Sequence, residues 1–218
     1  MYLKHTFLGF ALLSIMGVAQ PVVAAGGPSA NNASAQQTQR AKNPTASLSY
    51  AERNDILFMR EEEKLACDVY TYLHQLWGSA VFANIADSEQ RHMDSMEKLV
   101  VSDGLTDPVQ DDSTGAFTNP ELASLYVRLT TRRQVSKLEA LYVGAYIEEI
   151  DTRDIQQAID RATHADIIKT YESLLRGSRN HLRAFVRTIE NMGVVYEAQE
   201  LPQSEVDAIV DSPVERSR

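Results

Sequence analysis

Residues 82–96 read FANIADSEQRHMDSM. Phe82, Ile85, Glu89, His92 and Met96 recur at alternating steps of three and four, the period of one helix face, and Leu99 continues the stripe. The stripe is apolar except for Glu89 and His92, which project together from adjacent turns. A carboxylate on a buried helix face is costly unless a counter-charge meets it. The stretch is therefore either a pair of solvated polar residues or half of a metal site, and the remainder of the chain has to decide.

Three further stretches share its character. Each is long, nearly free of Gly and Pro, and periodic near 3.6. The first runs from about residue 50 to 77 with the stripe Ile56, Met59, Glu63, Ala66, Tyr70, Leu73, Trp77; FANIADSEQRHMDSM belongs to the second, 79–102. The third begins at Ser136, where Ser136 and Glu139 form a capping box, and its stripe is Leu138, Leu141, Ala145, Glu148, Thr152, Ile155, Ile159. DTRD, at 151–154, is a candidate kink within it. The fourth spans about 164–192, with the stripe Tyr171, Leu174, Ser178, His181, Phe185, Ile189 and Gly193 as its stop. The turn at 76–80 is short, so helices one and two are antiparallel neighbours. The link to helix three is long, and TNPELASLYVRL within it reads as a short extra helix with Pro120 in its first turn. No strand pattern and no repeat period occurs. The pattern predicts an all-α, up-down four-helix bundle with a long crossover between helices 2 and 3.

The ends of the chain read differently. MYLKHT, a short apolar run and VVAA make the three-part pattern of a cleaved signal peptide over 1–25, which predicts a periplasmic or secreted protein. Residues 26–47 lack large apolar side chains and predict a flexible linker. The folded domain is expected over 48–197. The segment 198–218 is expected to be a mostly disordered acidic tail in which only VDAIV is apolar enough to dock. Removing residues 1–25, which carry Lys4 and no acid, takes the formal charge from −9 to −10. That balance argues against nucleic acid as a partner, since phosphate backbones require a basic face. Cys67 is the single cysteine, so no disulfide framework holds the fold.

Chemistry gathers where the stripes turn polar. Helix one offers Glu63, helix two Glu89 and His92, helix three Glu148, helix four His181, all near mid-helix. Three carboxylates and two imidazoles hold too little positive charge among themselves, and a pair of divalent cations would supply it. A buried salt-bridge network with Arg60, Arg91, Arg179 and Arg183 is the competing reading. Carboxylates with imidazoles and no thiolate suit iron or manganese, with zinc as a third option. The chain has no Walker A motif, dinucleotide fingerprint, His-Glu-x-x-His or nucleophile elbow.

MREEEKLACDVYTYL, FANIADSEQRHMDSM, GAYIEEIDTRDI and GSRNHLRAF give residues 48–196 a resemblance to the ferritin-like superfamily, near the rubrerythrins and bacterioferritins. The resemblance implies a ferritin-like bundle with a di-iron centre that oxidises ferrous iron or reduces peroxide or oxygen. It singles out Glu63 over Glu61 and Glu62, because Glu63 stands seven residues before Tyr70 as family members have it. Glu89 and His92, Glu148 and His181 match in turn. Asp151 resembles an extra helix-three carboxylate of rubrerythrin-like sites. The departure is Ser178, where the family has a Glu three residues before the last His. With one cysteine the chain lacks a four-cysteine electron-transfer site, so turnover would need an external electron donor. Metal ions, oxygen or peroxide and that donor are the expected partners, and a homodimer is compatible with them. The alternative is a non-catalytic metal-binding or structural module with a degenerate site.

Overall fold

Ser49 opens the first helix by a reciprocal cap. Its Oγ accepts the Glu52 N–H at 3.1 Å, while Glu52 Oε2 accepts the Ser49 N–H at 2.9 Å. The resulting helix, α1 (Tyr50–Trp77), ends where Gly78 takes φ 61°, a left-handed conformation that favours glycine, and donates to His74 O at 2.8 Å. The computed structural model describes residues 47–131 and 136–216, which fall within one unit spanning 44–218. The remaining described helices are α2 (Ala80–Ser102), α3 (Pro120–Thr131), α4 (Lys137–Arg161), α5 (Ala165–Glu190) and α6 (Gln203–Val210); no strand occurs among these residues. The fold is all-α. No described helix is long and apolar enough to cross a membrane. The expected signal peptide and, apart from residue 47, the expected linker lie outside the described residues.

Two hairpins carry the architecture. The α1 helix packs along α2, α4 packs along α5, and the hairpins meet through α1 against α4 and α2 against α5. Ser136 caps α4 as its sequence predicts, its Oγ accepting the Glu139 N–H at 3.1 Å. The helix is not broken at 151–154, and α4 runs on to Arg161. Asp151 and Thr152 are buried in the helix face, and Arg153 pairs with Asp154, so the polar tetrad is held within the helix.

The crossover 103–119 is stitched to α1 by polar contacts. Arg60 Nε and Nη2 reach Asp107 at 3.2 and 3.1 Å, Lys64 Nζ donates to Ser113 O at 3.0 Å, and Asp68 Oδ2 accepts the Gly115 N–H at 2.9 Å. Glu61 accepts the backbone N–H groups of Thr118 and Asn119, just ahead of α3.

The tail is a correction. The segment after residue 197 is not a disordered appendage but a docked strap that includes α6, with Val206 and Ile209 buried. Glu149 Oε2 accepts the N–H groups of Gln199, Glu200 and Leu201 at 3.0, 2.6 and 2.8 Å. Arg183 Nε donates to Ile209 O at 2.8 Å, and Arg179 and Arg183 both pair with Glu215. Composition underrated the segment because its anchors lie on α4 and α5.

The core is divided. One apolar cluster holds Leu65, Tyr70, Phe82, Leu141, Ala145, Leu182 and Phe185; a second holds Ile56, Met59, Met96, Ile155, Tyr171 and Leu174. On each long helix the residues between the clusters are polar: Glu63, Glu89, Glu148, Ser178 and His181. This buried polar belt is where four helices deliver their stripes to one level.

Candidate metal centre

Glu89 lies at the middle of the belt, and each of its carboxylate oxygens faces a different histidine. Oε2 is 2.7 Å from His92 Nδ1, and Oε1 is 2.7 Å from His181 Nδ1. Neither approach leaves a Glu89 oxygen in hydrogen-bond geometry, and His181 Nδ1 likewise has no aligned partner. Two donor atoms bound to one metal at about 2.0–2.2 Å and a right angle stand about 2.9 Å apart. The spacing is thus that of ligands converging on a common point.

Two sets of three donors result, and they share Glu89. Glu63, Glu89 and His92 bring ligand atoms within 4.8 Å of one another, as do Glu89, Glu148 and His181. Glu63 Oε2 lies 3.1 Å from His92 Nδ1, and Glu148 Oε2 lies 3.5 Å from His181 Nδ1. The imidazoles face each other with centroids 5.6 Å apart. The donor set, all oxygen and imidazole nitrogen, fits two hard or borderline divalent cations bridged by one carboxylate.

Neighbouring groups hold the candidate ligands in place. Tyr70 O–H donates to Glu148 Oε1 at 2.6 Å, and His181 Nε2 hydrogen-bonds with Ser88 Oγ at 3.0 Å. Such outer contacts set ring orientation and ligand basicity. Gly177 has a steric role that the sequence reading missed. A Cβ there would lie 2.4 Å from His92 Cε1 and 2.5 Å from Nε2, so the missing side chain is the space the imidazole occupies. A glycine within a helical pattern was the available signal.

The electrostatics reflect crowded acid. Burial lifts the Glu63 carboxyl to about 7, against the pull of His92. Burial acts the same way on Glu89, but the charges of His181 and His92 outweigh it and hold Glu89 well below the usual carboxylate range. Burial depresses both histidines, yet Glu89 and Glu63 raise His92 well above its ordinary value, and Glu89 with Glu148 raises His181 to about 10. The carboxylates thus hold the two histidines toward their protonated form.

The structure therefore brings Glu63, Glu89, His92, Glu148 and His181 together. Asp151 belongs to neither set of three, although it is buried beside them with both oxygens unpartnered. Ser178 is buried in the belt and donates to Leu174 O at 3.2 Å, so α5 contributes a single ligand. The four arginines of the competing salt-bridge reading point elsewhere where their partners are seen: Arg60 to Asp107, Arg179 and Arg183 to Glu215.

The family model described as "Uncharacterized protein domain (DUF2202)" matches residues 52–213. The chain is similar to the uncharacterized protein MJ0754 of Methanocaldococcus jannaschii, 43% identical over 173 residues that cover 79% of this chain and 94% of that protein. It also resembles the crystal structure of hypothetical protein MJ0754 from Methanococcus jannaschii, with a TM-score of 0.77 at 42% identity over 79% of this chain and 98% of that one.

Proposed function

We infer function from the premise that the chain belongs to the family of the uncharacterized protein domain DUF2202, and we propose an exported metal protein of the ferritin-like superfamily. In this reading the two hairpins are a ferritin-like four-helix bundle and the belt is a dinuclear centre, with iron as the first candidate and manganese or zinc behind it. Its activity is ferrous iron oxidation or the reduction of peroxide or oxygen. The observation that carries the reading is the pair of 2.7 Å approaches from one carboxylate to two histidine nitrogens.

Glu63 with His92 would hold one ion, Glu148 with His181 the other, and Glu89 would bridge them. A bound iron pair supplies the electrons that dioxygen or peroxide accepts. The protein's own part is positional. Tyr70 holds Glu148 and Ser88 holds His181, while the apolar clusters on either side exclude bulk water. Ser178 favours a second reading, a non-catalytic metal module, because it withdraws the carboxylate that would balance α5 against α2.

Metal content separates these outcomes. Mature protein loaded anaerobically with ferrous iron and desalted is expected to retain about two irons per chain. Glu89→Ala and His92→Ala should lose them. Oxygen or peroxide consumption by the loaded protein then favours catalysis over the non-catalytic module. A well-folded wild-type chain that retains no metal would sink both readings.

A further inference from the structure

Glu62, Asp151 and Asp154 have no place in the centre. Glu148, Asp151 and Asp154 recur at three-residue steps, so they climb one side of α4. Besides its hairpin partner α5, α4 packs against α1, where Glu62 adjoins Glu63. Glu62 and Asp151 are 4% and 2% exposed. Glu62 Oε2 and both oxygens of Asp151 have no hydrogen-bond partner, which is an expensive arrangement for buried acids. After burial itself, the largest influence on Asp151 is the charge of Glu62, ahead of Glu148, Glu63 and Glu89. On Glu62 the largest charges are Asp154 and then Glu63. Along α4 the acids thus form a row that leaves Glu148 through Asp151 to Asp154, with Glu62 on the facing helix α1.

The outer end of the row is partly exposed and clamped. Arg153 Nε and Nη2 hold Asp154 at 2.6 and 3.0 Å, and Arg153 Nη1 also pairs with Glu200 of the strap. Arg153 is committed to Asp154 and Glu200, so the orphan oxygens of Glu62 and Asp151 further in have no cation hydrogen-bonded to them. Among the described residues the three acids do not form a set with ligand atoms within 4.8 Å of one another, as the centre does twice. Unpartnered carboxyl oxygens without chelating convergence suit passage better than storage.

We propose that Asp154, Glu62 and Asp151 form a transfer path for divalent cations, running along the α1–α4 seam from the Arg153–Glu200 latch to the metal centre. Arg153 is its gate, occupying Asp154 until an incoming cation displaces it. The proposal rests on the reading of the belt as a metal centre.

Stopped-flow loading of the full chain with cobalt(II), followed by its visible absorbance, tests it. Glu62→Gln and Asp151→Asn should slow loading by about tenfold or more while leaving the final cobalt content unchanged. Arg153→Ala, at a partly exposed position, should speed it. Wild-type rates in Glu62→Gln, or in Arg153→Ala if the first variant does not fold, overturn the path. A drop in final content in Asp151→Asn with an unchanged rate in Glu62→Gln would make Asp151 a ligand and also overturn it. If wild type takes up no cobalt, the centre itself is refuted, which its stoichiometry shows independently of any variant's rate.

Discussion

Three consecutive glutamates on α1 serve three destinations. Successive helical residues are turned about 100° apart, so Glu61 reaches the start of α3, Glu62 the acidic row of α4, and Glu63 His92. All three are buried, and in sequence they are indistinguishable except by register. The spacing to Tyr70 selected Glu63, and the structure puts Glu63 with the histidines and Tyr70 on Glu148. The clustering of these stripes was thus legible because a polar residue on an apolar face is a visible exception. Gly177 was not, since nothing in the local pattern shows that a ring from α2 needs its volume. Gly177→Ala should therefore weaken cobalt binding by about 10–100-fold, the scale of disturbed ligand orientation, even though alanine ordinarily stabilises a helix interior by about 0.5–1 kcal/mol. Unchanged affinity would show that His92 can move aside without loss. A cation bound in the belt would have to compete with protons, because Glu89, Glu63 and Glu148 raise the two histidines above their ordinary value. Affinity should fall as pH falls, and calorimetric titration in two buffers of different ionisation heat should show net proton release. An equal heat in both buffers would refute this.

The long helices were readable from periodicity, but their joints were less so. Glu52 not only completes the Ser49 capping box; its Oε1 accepts the Thr163 N–H and Oγ1 at 2.7 and 2.9 Å and lies 2.8 Å from His164 Nδ1, tying α1 to the start of α5. Those partners lie more than a hundred residues away, beyond any local signal. Ser49→Ala should cost about 1 kcal/mol and Glu52→Ala more in chemical denaturation, because the second change removes both roles; equal costs would show the long-range role to be idle. Burial raises the Glu52 carboxyl, but His164, Thr163 and Ser49 together bring it well below the ordinary range. Its contribution is therefore complete above the ordinary value of 4.5 and lost as pH falls below it. Glu215 follows the same sign: Arg179 chiefly, with Arg183, lowers it from 4.5 to about 2. The end of the strap is expected to loosen as pH drops through that interval, with amide exchange rising at residues 211–216 before the core helices. Simultaneous loss of protection in strap and core would contradict it.

At the scale of the whole molecule, a polar belt separates two apolar clusters that would otherwise make one core. The folded state therefore carries a buried charge problem that a bound cation would relieve. Saturating cation at a hundred times its dissociation constant should add about 2.7 kcal/mol of stability, measurable as a higher unfolding midpoint that a chelator reverses; a midpoint indifferent to metal would refute the belt as a binding site. The domain edge at 197 expected from composition omits the strap. A chain ending there should be less stable than the full chain by about 4 kcal/mol, given the loss of Leu201, Val206 and Ile209 from apolar contact. Equal denaturation midpoints would return the strap to the status of a passive tail. Glu148, which faces His181, and Glu149, which grips the strap, are neighbours on α4. Candidate ligand and strap anchor are one peptide bond apart, so a pull on the C-terminus has a lever arm of a single residue into the belt. Mechanical load hung on that end would be felt first, of all the acids and histidines of the belt, by Glu148.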